Sequence, residues 1–222
     1  MNLIGHLVVG LRLAGVGPAH DVALGVMLPD LGSMAGLRAD RSGLPAAVAE
    51  GVRLHHLTDA AFHGQPWFVH AVTVDRQALQ EAGLPRGAAR ACAHVGFELL
   101  LDGLLLEERS VAESVGVALD ALAAERLGAG AGGEPDRWED LFRRLRDSRR
   151  LTDSYSTPEG VAHRLRWVLA RRPRLALEQA RLDPLVERLQ ARRARLEAVA
   201  PVLVEAVVER ARAGSGAPGC PT

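Results

Sequence analysis

The chain is expected to fold as an all-α, single-domain helical bundle, and three observations carry that expectation. Ala, Leu, Arg and Glu recur at helical periods, while Val, Ile and Thr are not set out in strand alternation. The apolar periodicity breaks at clusters of Gly and Pro, such as Gly15-Val16-Gly17-Pro18 and Gly64-Gln65-Pro66. A length of 222 residues fits one domain and is enough to bury a substantial core.

The elements follow in order. Residues 2–14 read as a first helix. It is apolar but carries His6 and Arg12 with no basic segment before it, so it reads as a buried helix and not as a signal peptide. Residues 21–28 form a short second helix ending at Pro29-Asp30, and residues 32–43 have the Gly, Ser and Asp content of a loop. Pro45 suits an early helical position, and the pattern from there runs to about Phe62. Residues 67–74 open another helix, and residues 86–108 form a long, strongly apolar and therefore central one. Residues 110–127 follow, then a Gly-rich turn over 128–133, then a basic amphipathic helix over 138–149. Thr157-Pro158-Glu159 reads as an N-cap with Pro in the first turn, opening a helix to Ala170. Residues 175 to about 211 form one or two long helices, interrupted at Pro184 and Pro201. The domain spans 1–213, and 214–222 is expected to be a disordered tail of small residues.

Bulk properties exclude several function classes. The formal net charge is zero, so no general attraction to nucleic acid or an anionic membrane is implied. Apolar runs such as 99–101 and 104–106 are far too short to span a bilayer, and no stable membrane association is expected. Cys92 and Cys220 are the only cysteines, which argues against a disulfide framework and for a cytoplasmic location.

Eight residues stand out chemically. His55, Asp59 and His63 fall at i, i+4 and i+8, and His94, Glu98 and Asp102 repeat that spacing, so each trio lines one helix face. His6 and Asp30 lie upstream, each inside an apolar stretch. Two such rows facing each other could surround one or two cations. Imidazole plus carboxylate is the ligand mix of Zn, Mn or Fe sites that hydrolyse phosphate esters. Burying these charges costs several kcal/mol unless each is paired or bound to a cation. The competing arrangement is a buried network in which Asp and Glu pair with His⁺ or Arg. His55 and Asp59 are the core ligands, because their spacing needs no backbone distortion, with Asp30 and Asp102 reaching in from other helices. His56 points about a hundred degrees away from His55. His6 or His56 would serve as general acid for the leaving alkoxide. His20, His70 and His163 have no comparable context and read as surface residues.

The order of these residues resembles a known family. Met1-Asn2-Leu3-Ile4-Gly5-His6-Leu7, Gly25-Val26-Met27-Leu28-Pro29-Asp30, and Gly51-Val52-Arg53-Leu54-His55-His56-Leu57-Thr58-Asp59 are similar to successive motifs of bacterial acyl carrier protein phosphodiesterases. Asp102-Gly103-Leu104-Leu105 falls where that family has Asp-His-Phe-Leu, and Arg171-Arg172-Pro173-Arg174-Leu175 matches a run near its last helices. The resemblance implies an HD-related, metal-dependent hydrolase that removes 4′-phosphopantetheine from holo-acyl carrier protein. Mn²⁺ is the cation implied, with Zn²⁺ or Fe²⁺ as alternatives. His6, Asp30, His55, Asp59 and Asp102 would form the metal shell, with His63, His94 and Glu98 as further ligands. Two departures stand out: Gly103 replaces the family's His, and His63 stands where an acid is common. Leu28-Pro29-Asp30 with His94, Glu98 and Asp102 also looks like the zinc-dependent phospholipase C class. Acyl carrier protein is acidic, so Arg171, Arg172 and Arg174, with Arg164 and Arg166, form one basic run that could dock it. Arg143, Arg144, Arg146, Arg149 and Arg150 form a second. The non-enzymatic alternative is a helical scaffold carrying a relict site.

Overall fold

The computed structural model describes residues 1–15, 20–147 and 154–215. Among these residues ten α-helices and four short 3₁₀ segments carry the fold, and there is no strand. The helices are α1 (Leu3–Ala14), α2 (His20–Ala35), α3 (Ala46–His63), α4 (Pro66–Glu81), α5 (Arg86–Leu106), α6 (Arg109–Asp120), α7 (Pro135–Asp147), α8 (Pro158–Leu169), α9 (Leu182–Glu197) and α10 (Ala200–Ser215). No helix among the described residues is long and apolar enough to cross a membrane.

Several boundaries follow from local chemistry. Gly15 ends α1 in the left-handed conformation, at φ 63°. Thr157 caps α8, its hydroxyl accepting from Gly160 N at 3.1 Å, with Pro158 in the first turn. Elsewhere the expected breaks are displaced. Pro29 does not end α2: the helix continues to Ala35, because Leu24, Leu28 and Leu31 on both sides of the proline are buried and their packing outweighs one lost N–H. The expected loop over 32–43 therefore begins only after Ala35 and contains a 3₁₀ turn at Arg41–Gly43. The helix expected to open over 67–74 is present and runs from Pro66 to Glu81. The one expected over 110–127 stops at Asp120, and Ala124–Ala131 is 3₁₀ with a non-helical Gly128. Pro184 lies in the first turn of α9, where its missing N–H costs nothing, so it does not interrupt the helix; the expected break near Pro201 is present, between Glu197 and Ala200, with Pro201 in the first turn of α10. Residues before α9, expected to be helical from 175, form short 3₁₀ turns. Helix α10 reaches Ser215, into the expected tail, and residues 216–222 lie outside the described residues.

One apolar core runs from Met1 to Ala211. Helix α5 is at its centre, packed by α1, α4, α8 and α9, while α10 lies on α3 and α1. The tightest pairing is α2 against α3. A Cβ on Gly25 would stand 2.1 Å from Val48 O, and one on Gly51 would stand 2.3 Å from Val22 O. Two glycines facing each other thus let these backbones touch, and that contact sets the depth of every side chain on the α2–α3 seam.

Candidate metal centre

Helices α1, α2, α3 and α5 bring the eight sequence candidates into one region, and six of them fall into two groups. His6, Asp30 and His55 form one, and His63, His94 and Glu98 the other; within each, one ligand atom per residue lies within 4.8 Å of the others. Both groups can hold a metal ion.

The first group is prepared atom by atom. His55 donates from Nδ1 to Val26 O at 2.9 Å, an acceptor that the close α2–α3 contact brings within reach. A carbonyl can only accept, so Nδ1 carries the proton and Nε2 presents a lone pair. Thr58 donates its hydroxyl to His55 O at 2.9 Å and lies 2.7 Å from His6 Nδ1. With the hydroxyl proton already committed, Thr58 accepts from His6 Nδ1, and His6 Nε2 is the bare nitrogen. His6 Nε2 and Asp30 Oδ2 are both buried without a hydrogen-bond partner. The two imidazoles stand 4.0 Å apart between centroids. Burial pushes His6 down to about 4 and, helped by neighbouring His6, pushes His55 down to about 3, so both rings are neutral at physiological pH. Two neutral imidazoles with Nδ1 anchored and Nε2 free is the arrangement that metal-binding histidines adopt. Burial also raises Asp30 to about 7, as expected of a carboxyl without a cationic partner of its own.

The second group is built on the next turn of α3 and on α5. His63 Nδ1 donates to Asp59 O at 3.1 Å and lies 3.1 Å from Asp59 Oδ1. Its Nε2 faces His94 Nε2 at 3.0 Å and Glu98 Oε1 at 3.1 Å. Glu98 Oε1 is also 3.3 Å from His94 Nε2 and 3.1 Å from the buried Met1 amine. Hydrogen bonds to Asp59 and Glu98 lift His63 to about 9, so without a cation the imidazolium itself supplies the positive charge here. Burial pushes Glu98 up, but His63, His94 and the amine outweigh it and hold the carboxyl well below the usual range.

Asp59 stands between the groups. Its Oδ1 is 3.5 Å from His6 Nε2, 3.1 Å from His63 Nδ1 and 3.8 Å from the Met1 amine. Burial raises its pKa, and the His6 and His63 rings outweigh that, leaving Asp59 strongly acidic. Asp102 stands apart from both groups. Its two oxygens accept from Ile4 N at 3.1 Å and Gly5 N at 2.8 Å, unsatisfied donors of the first turn of α1. It is fully buried, and burial lifts it to about 7 against the pull of those N–H groups. The expected ligand thus ties α1 to α5.

The departure at Gly103 has a physical cause. A Cβ there would lie 2.0 Å from Tyr155 O, so the Tyr155 backbone fills the space that a histidine side chain would need. His56 is exposed beside the first group, its Nε2 accepting from Arg41. His20, His70 and His163 are all exposed. Arg143 and Arg144 pair with Asp140, and Arg146 with Glu139, whereas Arg149 and Arg150 lie outside the described residues. Arg171 donates to Met34 O at 3.3 Å and, with Arg164, stacks on the exposed Trp167 ring. The residues that spacing did not reveal are Thr58, the Met1 amine and the Val26 carbonyl, which orient ligands without being ligand types themselves. No protein-family model, curated protein or solved structure matches this chain.

Proposed function

We propose that this protein is a metal-dependent phosphodiester hydrolase, related to the HD-type hydrolases, acting through cations held by the two His/carboxylate groups. The observation that carries the reading is the buried, unpartnered Nε2 of His6 and Oδ2 of Asp30, grouped with His55 so that one ligand atom of each lies within 4.8 Å of the others. Leaving such atoms bare costs free energy that a cation would recover. A divalent cation bound there offsets phosphodiester charge and makes a water-derived nucleophile available near neutral pH. The chain's own residues supply the rest. Thr58 and Val26 O fix the imidazole tautomers, and Asp59, between the groups, is positioned to serve both. His6 Nε2 is committed as a ligand atom, which leaves His56 to move a proton to or from the leaving group. Each group offers two imidazoles and one carboxylate, a donor set that suits Zn²⁺ or Fe²⁺ at least as well as Mn²⁺.

The substrate proposed from the motif resemblance is holo-acyl carrier protein, docked on the Arg171, Arg172 and Arg174 face. Metal analysis of the purified protein with bis-(p-nitrophenyl) phosphate turnover tests the activity, and mass analysis of holo-acyl carrier protein for loss of the prosthetic arm tests the substrate. Bound Zn, Fe or Mn that is lost in His55→Ala, together with cation-dependent p-nitrophenol release, is the expected result. A metal-free, inactive protein across all three cations would leave the helical scaffold reading instead.

A further inference from the structure

Beside the first ligand group, α2 and α3 enclose two adjoining cavities of about 280 and 370 Å³ that share Arg41, Leu44 and Val52. Together they form one groove in the size range of small-ligand sites, about 300–1,000 Å³. Leu28, Leu37 and Val52 are buried in its walls, and Leu44 is partly covered. The rim is cationic. Arg38 and Arg41 have no carboxylate within ion-pair reach among the described residues, and the ring of His56 is the one polar group paired with Arg41 there. The exposed acid between them in sequence, Asp40, accepts from Ser42 N at 3.0 Å and Ser42 Oγ at 2.7 Å and pairs with neither arginine. Arg53, at the far edge, is held by Glu50 at 2.7 Å. Its walls include the chain neighbours of two residues of the ligand group: Pro29, which precedes Asp30, and His56, which follows His55.

We infer that this groove binds a single-chain anionic amphiphile, with the hydrocarbon in the cavity and the negative group at the arginine lip. Apolar walls with guanidinium groups that lack a carboxylate partner at the lip complement a ligand that combines hydrocarbon with a negative charge, and would repel a cationic one. The inference concerns what the groove binds and does not rest on the phosphodiesterase reading.

The test is isothermal titration of the purified protein with methyl phosphate, octyl phosphate and octyltrimethylammonium, all kept monomeric. Octyl phosphate should bind at least about tenfold more tightly than methyl phosphate, a margin that two buried methylenes supply, and octyltrimethylammonium should not bind. Leu44→Asp should abolish the chain-length preference, and Arg38→Ala with Arg41→Ala should abolish the preference for the anionic head. His55→Ala should keep both. Equal affinity of the wild-type protein for methyl and octyl phosphate overturns the inference, and that comparison needs no variant to fold. Octyl preference without bis-(p-nitrophenyl) phosphate turnover would overturn the activity and leave the groove standing.

Discussion

Gly103→Ala is the substitution whose outcome the geometry fixes most sharply. The added Cβ would meet Tyr155 O at 2.0 Å and Tyr155 C at 2.8 Å. Ordinary C···O contacts begin at about 3.3 Å, so roughly 1.3 Å of movement is needed. Both sides are backbone, and neither yields easily. Gly103 lies inside α5 next to the fully buried Asp102, while Tyr155 is buried two residues before the Thr157 cap. Overpacking of this kind costs about 1–3 kcal/mol when side chains can adjust, and a backbone clash belongs at the upper end. Replacing a mid-helix glycine by alanine returns about 1 kcal/mol of helix propensity. The net loss is about 2 kcal/mol, a fall in Tm of about 4–8 °C for a chain of this size. Gly116 is the control, since it is helical and a Cβ there meets nothing within 4 Å. Gly116→Ala should gain up to about 1 kcal/mol and raise Tm by about 2–4 °C. Calorimetric melts of the two variants should therefore move in opposite directions. A Gly103→Ala protein melting at or above wild type would refute the account of why glycine occupies this position.

Three further outcomes are expected. Thr58→Val keeps the shape of the side chain but removes the acceptor for His6 Nδ1; cation affinity, measured by competition with a chelating dye, should fall about 10- to 100-fold while the melt stays cooperative. Hydrogen bonds to Asp59 and Glu98 raise His63 from the ordinary 6.5 to about 9, so in the cation-free protein its ion pairs stabilise fully below pH 6.5 and that stabilisation is lost as pH rises through 9; urea melts across pH 6–10 should show the decline, and His63→Gln should flatten it. Asp75 accepts from Arg188 Nε at 2.5 Å and Arg192 Nε at 2.7 Å, so Asp75→Ala strands two guanidinium groups and should cost about 3–5 kcal/mol, with metal stoichiometry in the folded fraction unchanged.

The helical class was legible because it depends on periodicity, and so were the Thr157 cap and the His55–Asp59–His63 row, which are local to one helix. Helix ends at Pro29, Asp120 and Pro184 were not, because there burial or position in the first turn decides and propensity does not. Within the site, residue types that bind metals could be picked out, but not their division into two groups. That division depends on which atoms are already occupied. Asp102 has the residue type and spacing of a ligand, yet both its oxygens are taken by the open N-terminal turn of α1. Thr58 had no signal of its own, since a threonine three residues after a histidine is unremarkable until α1 brings His6 against it.

The departures from the resembled pattern are physically linked. Tyr155 O excludes a side chain at Gly103, so the position after Asp102 cannot contribute a ligand, and Asp102 itself is spent on α1. At the end of α3, His63 brings an imidazole where an acid is common in that pattern, and it meets His94 and Glu98, two turns and one turn before Asp102 on α5. The ligand types that cluster on α5 are thus His94 and Glu98, while Asp102 is taken up by α1. Asp59 links the two groups, because one of its oxygens lies within 3.5 Å of ring nitrogens from both. A single cation would use that oxygen from one side, whereas two cations would share it. The molar ratio of bound metal in His94→Ala decides between them: a fall from two to one per chain identifies a shared centre, and an unchanged ratio of one confines the cation to His6, Asp30 and His55.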